Sequence, residues 1–156
     1  MPGDEQDKPG IVAPPPFIYL GALIFGLLLN RRLPIGFLPR GIARGLGWSL
    51  LGAGALLLVW FEWAMWQADT SSNPYKPVKH IATQGPFRYT RNPGYLSMAM
   101  IYTAIASLAN ALWAILLLPG ALLVIQRGVI EREERYLERK FGEEYLRYKA
   151  RVRRWI

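Results

Sequence analysis

Apolar residues in this chain come in long runs rather than in the spaced patterns of a water-facing fold. Residues 17–29 are interrupted only by small residues, 45–66 are apolar except for Ser49 and Glu62, and 94–126 carry no charge. A helix that crosses a bilayer needs roughly 20 predominantly apolar residues, so the second run predicts one span. The third is too long for a single helix and has Asn110 near its middle, which predicts a hairpin of two helices, 94–109 and 111–126. The first run is short for a span. Pro14-Pro15-Pro16 sets its start, and Asn30-Arg31-Arg32 with Pro34 ends it. The fold class expected is an all-α, integral-membrane helical bundle. Four membrane helices is the leading count, and three plus an interfacial first segment is the alternative. In the second run Gly41, Gly45, Ser49 and Ala53 recur every four residues, a small-residue stripe suited to close packing of membrane helices.

Beyond the hairpin the pattern changes. Ile130, Leu137, Phe141, Tyr145, Tyr148 and Val152 recur at three- or four-residue spacing, which predicts a C-terminal amphipathic helix from Val129 to about Lys149. Glu131–Arg135 and Glu143–Arg147 are i,i+4 pairs of its solvated face. Glu133 lies on the apolar side and Glu134 borders it. An inward carboxylate needs a partner, here Arg91, His80, or a hydroxyl-bearing or cationic ligand. Gly142 relaxes this helix or marks a bend. The tail Arg151, Arg153, Arg154 and Trp155 is basic and aromatic, as suits lipid head groups.

Composition narrows the class. The chain has 156 residues, 52% of them hydrophobic and 13% aromatic, which bounds it to one membrane domain spanning 1–156. No cysteine is present, which excludes disulfides, thiolate metal sites and a cysteine nucleophile, and no metal is expected. The segment Met1–Gly10 is acidic and lacks the basic start of a secretory signal, so residues 1–13 are expected to be a flexible N-terminus and the first apolar run to be retained. The net charge of +8 flanks the apolar runs, so it reads as membrane topology and contact with anionic lipid rather than as nucleic-acid binding. With four spans, Lys8, Lys76, Lys79, Arg88, Arg91 and the basic residues from Arg127 onward share one side, which is expected to be cytoplasmic. Arg31, Arg32, Arg40 and Arg44 lie opposite, and for that reason the interfacial alternative stays open.

One polar-aromatic block, His80 to Tyr95, stands out between the second run and the hairpin. It follows a loop, 67–79, in which Asn73-Pro74 and Lys76-Pro77 block regular helix. Gly85-Pro86 is expected to turn the chain, Asn92 to be extended, and a helix to begin at Pro93 or Gly94. Free amides at that helix start favour an anionic group. Phe87, Tyr89 and Tyr95 suit a flat base or a cation, and Arg91 suits a carboxylate held in a fork. An interfacial loop of snorkelling arginines and anchoring aromatics is the competing reading. Glu62, between Trp60, Trp63 and Trp66, is either a functional carboxylate or a group re-entering water at the aromatic belt.

The ordered set Gly85-Pro86-Phe87-Arg88-Tyr89-Thr90-Arg91-Asn92-Pro93-Gly94-Tyr95, an apolar hairpin, Glu133-Glu134, and Phe141-Gly142-Glu143-Glu144-Tyr145-Leu146-Arg147-Tyr148 resembles the isoprenylcysteine carboxyl methyltransferase family, whose broader relatives include phospholipid N-methyltransferases and membrane thiol methyltransferases. The resemblance covers about His80 to Trp155. It implies a membrane methyltransferase that uses S-adenosyl-L-methionine, with residues 14–66 as N-terminal membrane helices and 67–156 as the cofactor-binding half. It further implies a cofactor site and C-terminus facing the cytoplasm, and a small or lipophilic acceptor (carboxylate, thiol or amine) reached from the bilayer.

By the same resemblance, the cofactor would be met by His80, Ile81, Gly85, Phe87, Tyr89, Arg91, Asn92, Pro93, Gly94, Tyr95, Glu133 and Glu134, with Arg91 and Glu133 central to catalysis. Asn92 stands where the family has a second histidine and cannot titrate near neutral pH, which argues against a general base there. Val129 stands where isoprenylcysteine enzymes have a substrate-facing arginine, leaving Arg127 as the nearest arginine and, with Glu62, a substrate candidate. Two other classes compete: an NADPH-dependent membrane reductase of the sterol reductase type, and a non-catalytic membrane scaffold. The first would need a cationic site for the 2′-phosphate, for which only Arg88 and Arg91 are at hand.

Overall fold

The computed structural model describes residues 9–71 and 76–156, and all regular structure among them is helical. Helix α1 (Pro15–Arg32) begins on consecutive prolines, whose fixed φ and missing N–H suit a first turn, and ends on Arg31 and Arg32 beside its free carbonyls. Helix α2 (Arg40–Gln67) has 28 residues, a length of about 42 Å at 1.5 Å per residue. Helix α3 (Pro93–Leu108) again starts on proline. After a turn at Ala109-Asn110, helix α4 (Leu112–Ile125) runs without a break through a π turn (Gln126–Ile130) into helix α5 (Glu131–Phe141). Helix α6 (Glu143–Arg151) follows.

The hairpin therefore turns where Asn110 interrupts the apolar run. Asn110 has φ +48°, a left-handed conformation that asparagine tolerates better than most residues. Its side chain also organises that end of the bundle. Oδ1 accepts the amides of Phe37 (3.1 Å) and Leu38 (3.2 Å), and Nδ2 donates to the Leu38 carbonyl (2.8 Å). The Trp113 indole donates to the Leu33 carbonyl at 2.9 Å, so the loop between α1 and α2 is fastened to the hairpin turn.

The four long helices pair in an order that hairpin connectivity does not reveal: α3 lies chiefly along α2, and α4 along α1. A core of Tyr19, Leu23, Tyr102, Ala106, Ala111, Ala114, Ile125 and Ile130 fills the space between α1, α3 and α4. Its tyrosine hydroxyls are satisfied, Tyr102 by the Ala114 carbonyl (2.7 Å) and Tyr19 by the Tyr95 carbonyl (3.0 Å). The small-residue face of α2 that meets α3 is not the expected one. Ala43, Gly47 and Gly54 are buried, and a methyl group on Gly47 would come within 2.6 Å of Leu108. Gly41 and Gly45 have nothing within 4 Å. The helix carries small residues on two sides, and the alanine- and serine-rich side of α3 selects between them.

Outward-facing positions are largely apolar, among them Phe17, Phe25 and Leu28 of α1, Leu56 and Val59 of α2, and Leu116 and Leu123 of α4. Two helices are long and apolar enough to cross a membrane by length and composition, Arg40–Gln67 and the continuous Leu112–Phe141.

The C-terminal run bends more sharply than a single helix. Gly142 has φ +52°, which ends α5 and starts α6 in a new direction. At the other terminus Met1–Lys8 lie outside the described residues, while Pro9 is buried. The Val12 amide donates to the Gly128 carbonyl (3.2 Å) and Arg132 to the Gly10 carbonyl (2.7 Å). Asn73-Pro74 also falls outside the described residues.

Candidate functional site

Two prolines and one glycine shape the His80–Tyr95 block. Gly85, at φ +60°, opens a single 3₁₀ turn, Gly85–Arg88, that buries Pro86 and Phe87. Phe87 packs against Ala64 of α2 and against Tyr145 and Tyr148 of α6, and its ring lies 5.9 Å from that of Phe61. The Tyr148 hydroxyl donates to the Phe87 carbonyl at 2.8 Å. Burial pushes the hydroxyls of Tyr145 and Tyr148 above the ordinary tyrosine range, so both are neutral donors near pH 7.

Residues 90–92 are then laced to the chain's last residues. The Arg91 amide donates to the Arg153 carbonyl (2.9 Å). The Arg154 carbonyl accepts both the Thr90 hydroxyl (3.1 Å) and the Asn92 side-chain amide (2.9 Å). The Trp155 indole donates to Gln126 at 3.1 Å. Arg154 and Trp155, expected in a tail for head groups, are instead folded inward, because their partners, Thr90 and Asn92 of the block, Glu134 and Gln126, come within reach only when the tail folds back. Arg151 and Arg153 stay exposed.

A cavity of about 330 Å³ lies where α2 ends, the block turns, α3 begins and α5 and α6 pass. Its wall brings together ten of the expected cofactor residues: His80, Ile81, Phe87, Arg91, Asn92, Pro93, Gly94, Tyr95, Glu133 and Glu134, and Glu62 reaches it as well. Gly85, Tyr89 and Arg127 are not in the wall. Gly85 backs onto Trp60. Tyr89 is 69% exposed, with its ring 6.2 Å from that of Trp60. Arg127 sits on the π turn, whose wider spacing shifts the helix phase, and it is exposed. Sequence reasoning missed Phe61, Met65, Met98 and Tyr136, which also line the cavity. They lie inside apolar or amphipathic helices, where nothing distinguishes a cavity wall from a core.

The two adjacent glutamates have separate partners, and the pairing differs from expectation. Glu133 accepts the Tyr95 hydroxyl at 2.7 Å. Arg91 instead meets Glu134, its Nη2 lying 3.1 Å from Oε1. Glu134 is only 6% exposed and is also forked by Arg154, Nε to Oε1 at 3.1 Å and Nη2 to Oε2 at 2.8 Å. That carboxylate holds the Arg154 guanidinium above its ordinary range. Neighbours in sequence on a helix point about 100° apart, so only one of them could reach Arg91. His80 stands exposed at the rim, away from either pairing.

Arg91 remains incomplete. Its Nε and Nη1 are buried and have no hydrogen-bond partner. Buried donors on a cation are costly when unpaired, so this arrangement fits an anion brought into the cavity, best a carboxylate taken in a fork. Glu133, steadied by Tyr95, presents acceptor oxygens for hydroxyls or an ammonium group. Gly94 and Tyr95 bring first-turn amides of α3 that have no intrahelical acceptor. The rings of Phe61, Phe87, Tyr95 and Tyr136 offer flat apolar faces. The residues present thus fit a ligand with a carboxylate, vicinal hydroxyls or an amine, and a planar base. Arg88, by contrast, is exposed and bonded to Gln84 (Nε to Oε1, 3.0 Å), so the cavity wall has no second arginine from the block for a ribose phosphate.

Comparison with known proteins gives this cavity its context. Residues 42–144 match the family model described as phospholipid methyltransferase, a range that runs from the start of α2 into α6 and includes the whole block and both glutamates. A protein of Haemophilus influenzae (strain ATCC 51907 / DSM 11121 / KW20 / Rd), described as an uncharacterized protein, is 63% identical over 35 residues, which are 22% of this chain and 56% of that protein. The chain thus spans about half the length of that relative. No solved structure matches. The chain belongs to the phospholipid methyltransferase family, a family of membrane methyltransferases.

Proposed function

We propose that this chain is an integral-membrane methyltransferase that uses S-adenosyl-L-methionine to methylate a small or lipophilic acceptor bearing a carboxylate, thiol or amine. The observation that carries this reading is the Arg91 guanidinium, buried in the cavity wall with Nε and Nη1 unpartnered. When bound, the cofactor would supply a methyl group on a sulfonium: the acceptor would bond to the methyl carbon in line as the carbon–sulfur bond breaks, and the neutral thioether S-adenosylhomocysteine would leave. Arg91 forks the cofactor's carboxylate. Glu133, oriented by Tyr95, accepts hydrogen bonds from its ribose hydroxyls or amino group. Phe87 and Tyr95 flank its flat or cationic parts. A carboxylate or thiolate acceptor needs no base, so the protein's contribution is alignment, exclusion of water and placement of charge.

The apolar exterior supports a bilayer as the surrounding medium, with α1, α2, α3 and α4 as four spans. Basic residues are concentrated at the cavity end, which favours a cytoplasmic cofactor site and C-terminus. Glu62 lies at the end of α2 in the cavity wall, where an acceptor entering from the membrane would pass.

Calorimetric titration of the detergent-solubilised chain with S-adenosylmethionine, S-adenosylhomocysteine and NADPH tests the reading. Saturable binding of the first two alone is expected. Selective NADPH binding would overturn it in favour of a reductase, and no binding of any would leave a scaffold.

A further inference from the structure

The Arg91–Glu134 pair should not, taken alone, leave two donors free. A buried guanidinium beside a buried carboxylate closes into a two-bond fork when nothing prevents it, because each is the other's best partner out of water. Here there is a single ion-pair contact, Nη2 to Oε1 at 3.1 Å. The reason lies on the other side of the carboxylate. Arg154 already occupies both oxygens, Oε1 through Nε at 3.1 Å and Oε2 through Nη2 at 2.8 Å. Oε2 also has the Lys149 ammonium at 3.9 Å, which is bonded to Glu138. A carboxylate offers about four lone-pair sites; Arg154 takes one on each oxygen, which leaves one on Oε1 and one on Oε2 rather than a free pair facing Arg91.

Arg154 is itself held in register with Arg91. Its carbonyl accepts from Thr90 and Asn92, the residues on either side of Arg91 (3.1 and 2.9 Å). The tail therefore measures its position from the same three residues whose central side chain it affects.

We infer that Arg154 is a positioning residue for the cofactor site: by forking Glu134 it withholds that carboxylate from Arg91 and keeps two Arg91 donors available to a ligand carboxylate. The inference rests on the cofactor reading given above. Without Arg154, Glu134 draws Arg91 into a closed pair and the cavity loses its anion fork while keeping its shape.

The test compares two ligands by calorimetry on the solubilised full chain: S-adenosylhomocysteine, and its decarboxylated analogue, which keeps the amine and the nucleoside. Arg154→Ala is expected to weaken S-adenosylhomocysteine about 10-fold and the analogue less than about 2-fold. Adding Glu134→Gln to Arg154→Ala removes the competing charge and is expected to restore S-adenosylhomocysteine to within about 3-fold of the unaltered chain. A merely structural tail would weaken both ligands alike and would not be rescued by a second substitution. Equal losses, no loss, or no recovery in the double variant each overturn the inference. Should Arg154→Ala fail to fold, Arg154→Lys is read with the same two ligands. A single point charge should release Glu134 in part and weaken S-adenosylhomocysteine alone, by about 3-fold, and an equal effect on both ligands overturns the inference. Failure of the unaltered chain to bind S-adenosylhomocysteine overturns the cofactor reading and this inference with it. Binding without the expected selectivity overturns the inference alone.

Discussion

The two ends of the bundle each place a strongly polar side chain among apolar helices, and they treat it oppositely. At the hairpin turn, Asn110 accepts from two amides and donates to one carbonyl, all within one loop. At the cavity end, Arg91 makes one ion pair and keeps two buried donors without partners. In sequence Asn110 lies inside an apolar run and Arg91 just before it, and neither setting tells whether the side chain finds its partners within the chain. A polar group whose bonds are completed inside the chain stabilises the fold, while one left incomplete against a cavity stabilises a complex. On the cofactor reading proposed above, the free energy withheld from folding at Arg91 is available to binding.

That contrast can be broken by four substitutions. The largest effect is expected from Arg91→Ala, which should weaken S-adenosylhomocysteine about 100-fold, as two charge-assisted bonds are lost. It should leave the melting temperature nearly unchanged, since Arg154 still satisfies Glu134. A large fall in melting temperature would mean that Arg91 is structural after all. Asn110→Ala should do the reverse. Losing its hydrogen bonds and its tolerance of φ +48° should lower the unfolding free energy by about 2 kcal/mol, read by denaturant titration, with ligand affinity of the folded fraction unaltered. Glu133→Gln keeps the shape of the wall and replaces one acceptor oxygen facing the ligand with a donor. Calorimetry should show a loss of about 10-fold, against no measurable change for the exposed Glu144→Gln. Tyr95→Phe removes only the hydroxyl that orients Glu133, and a loss of about 3-fold is expected. A Tyr95→Phe effect larger than that of Glu133→Gln would show that the hydroxyl touches the ligand itself.

Much of the helical framework was readable along the chain. The consecutive prolines at 14–16 mark the start of α1, the charge-free run with Asn110 inside it marks the hairpin, and Gly142 marks the bend before α6. Each depends on local backbone chemistry, such as the fixed φ of proline or a left-handed turn, so a short stretch of sequence carries the signal. The polar-aromatic block was legible as a candidate site because burying it next to apolar helices is expensive. Its internal wiring was not. Whether Glu133 or Glu134 meets Arg91 depends on a rotation of α5 that the π turn resets, and whether Gly41 or Gly47 faces α3 depends on which side α3 approaches. Tyr89 reads as well as Phe87 for a cavity wall, yet it falls outside, because one 3₁₀ turn sends consecutive aromatics to opposite sides.

The sequence by itself determined which segments are apolar helices, where they turn, and that one short polar-aromatic block lies between them. These are properties of composition and of backbone geometry within a few residues. Only the tertiary structure decided that the C-terminal tail returns to that block, that Arg154 takes up Glu134, and that Arg91 is left with two donors facing a cavity. Arg91 and Arg154 are far apart in the chain and meet on one carboxylate. How many bonds each makes is settled by competition for its oxygens, which exists only when all three side chains are packed together.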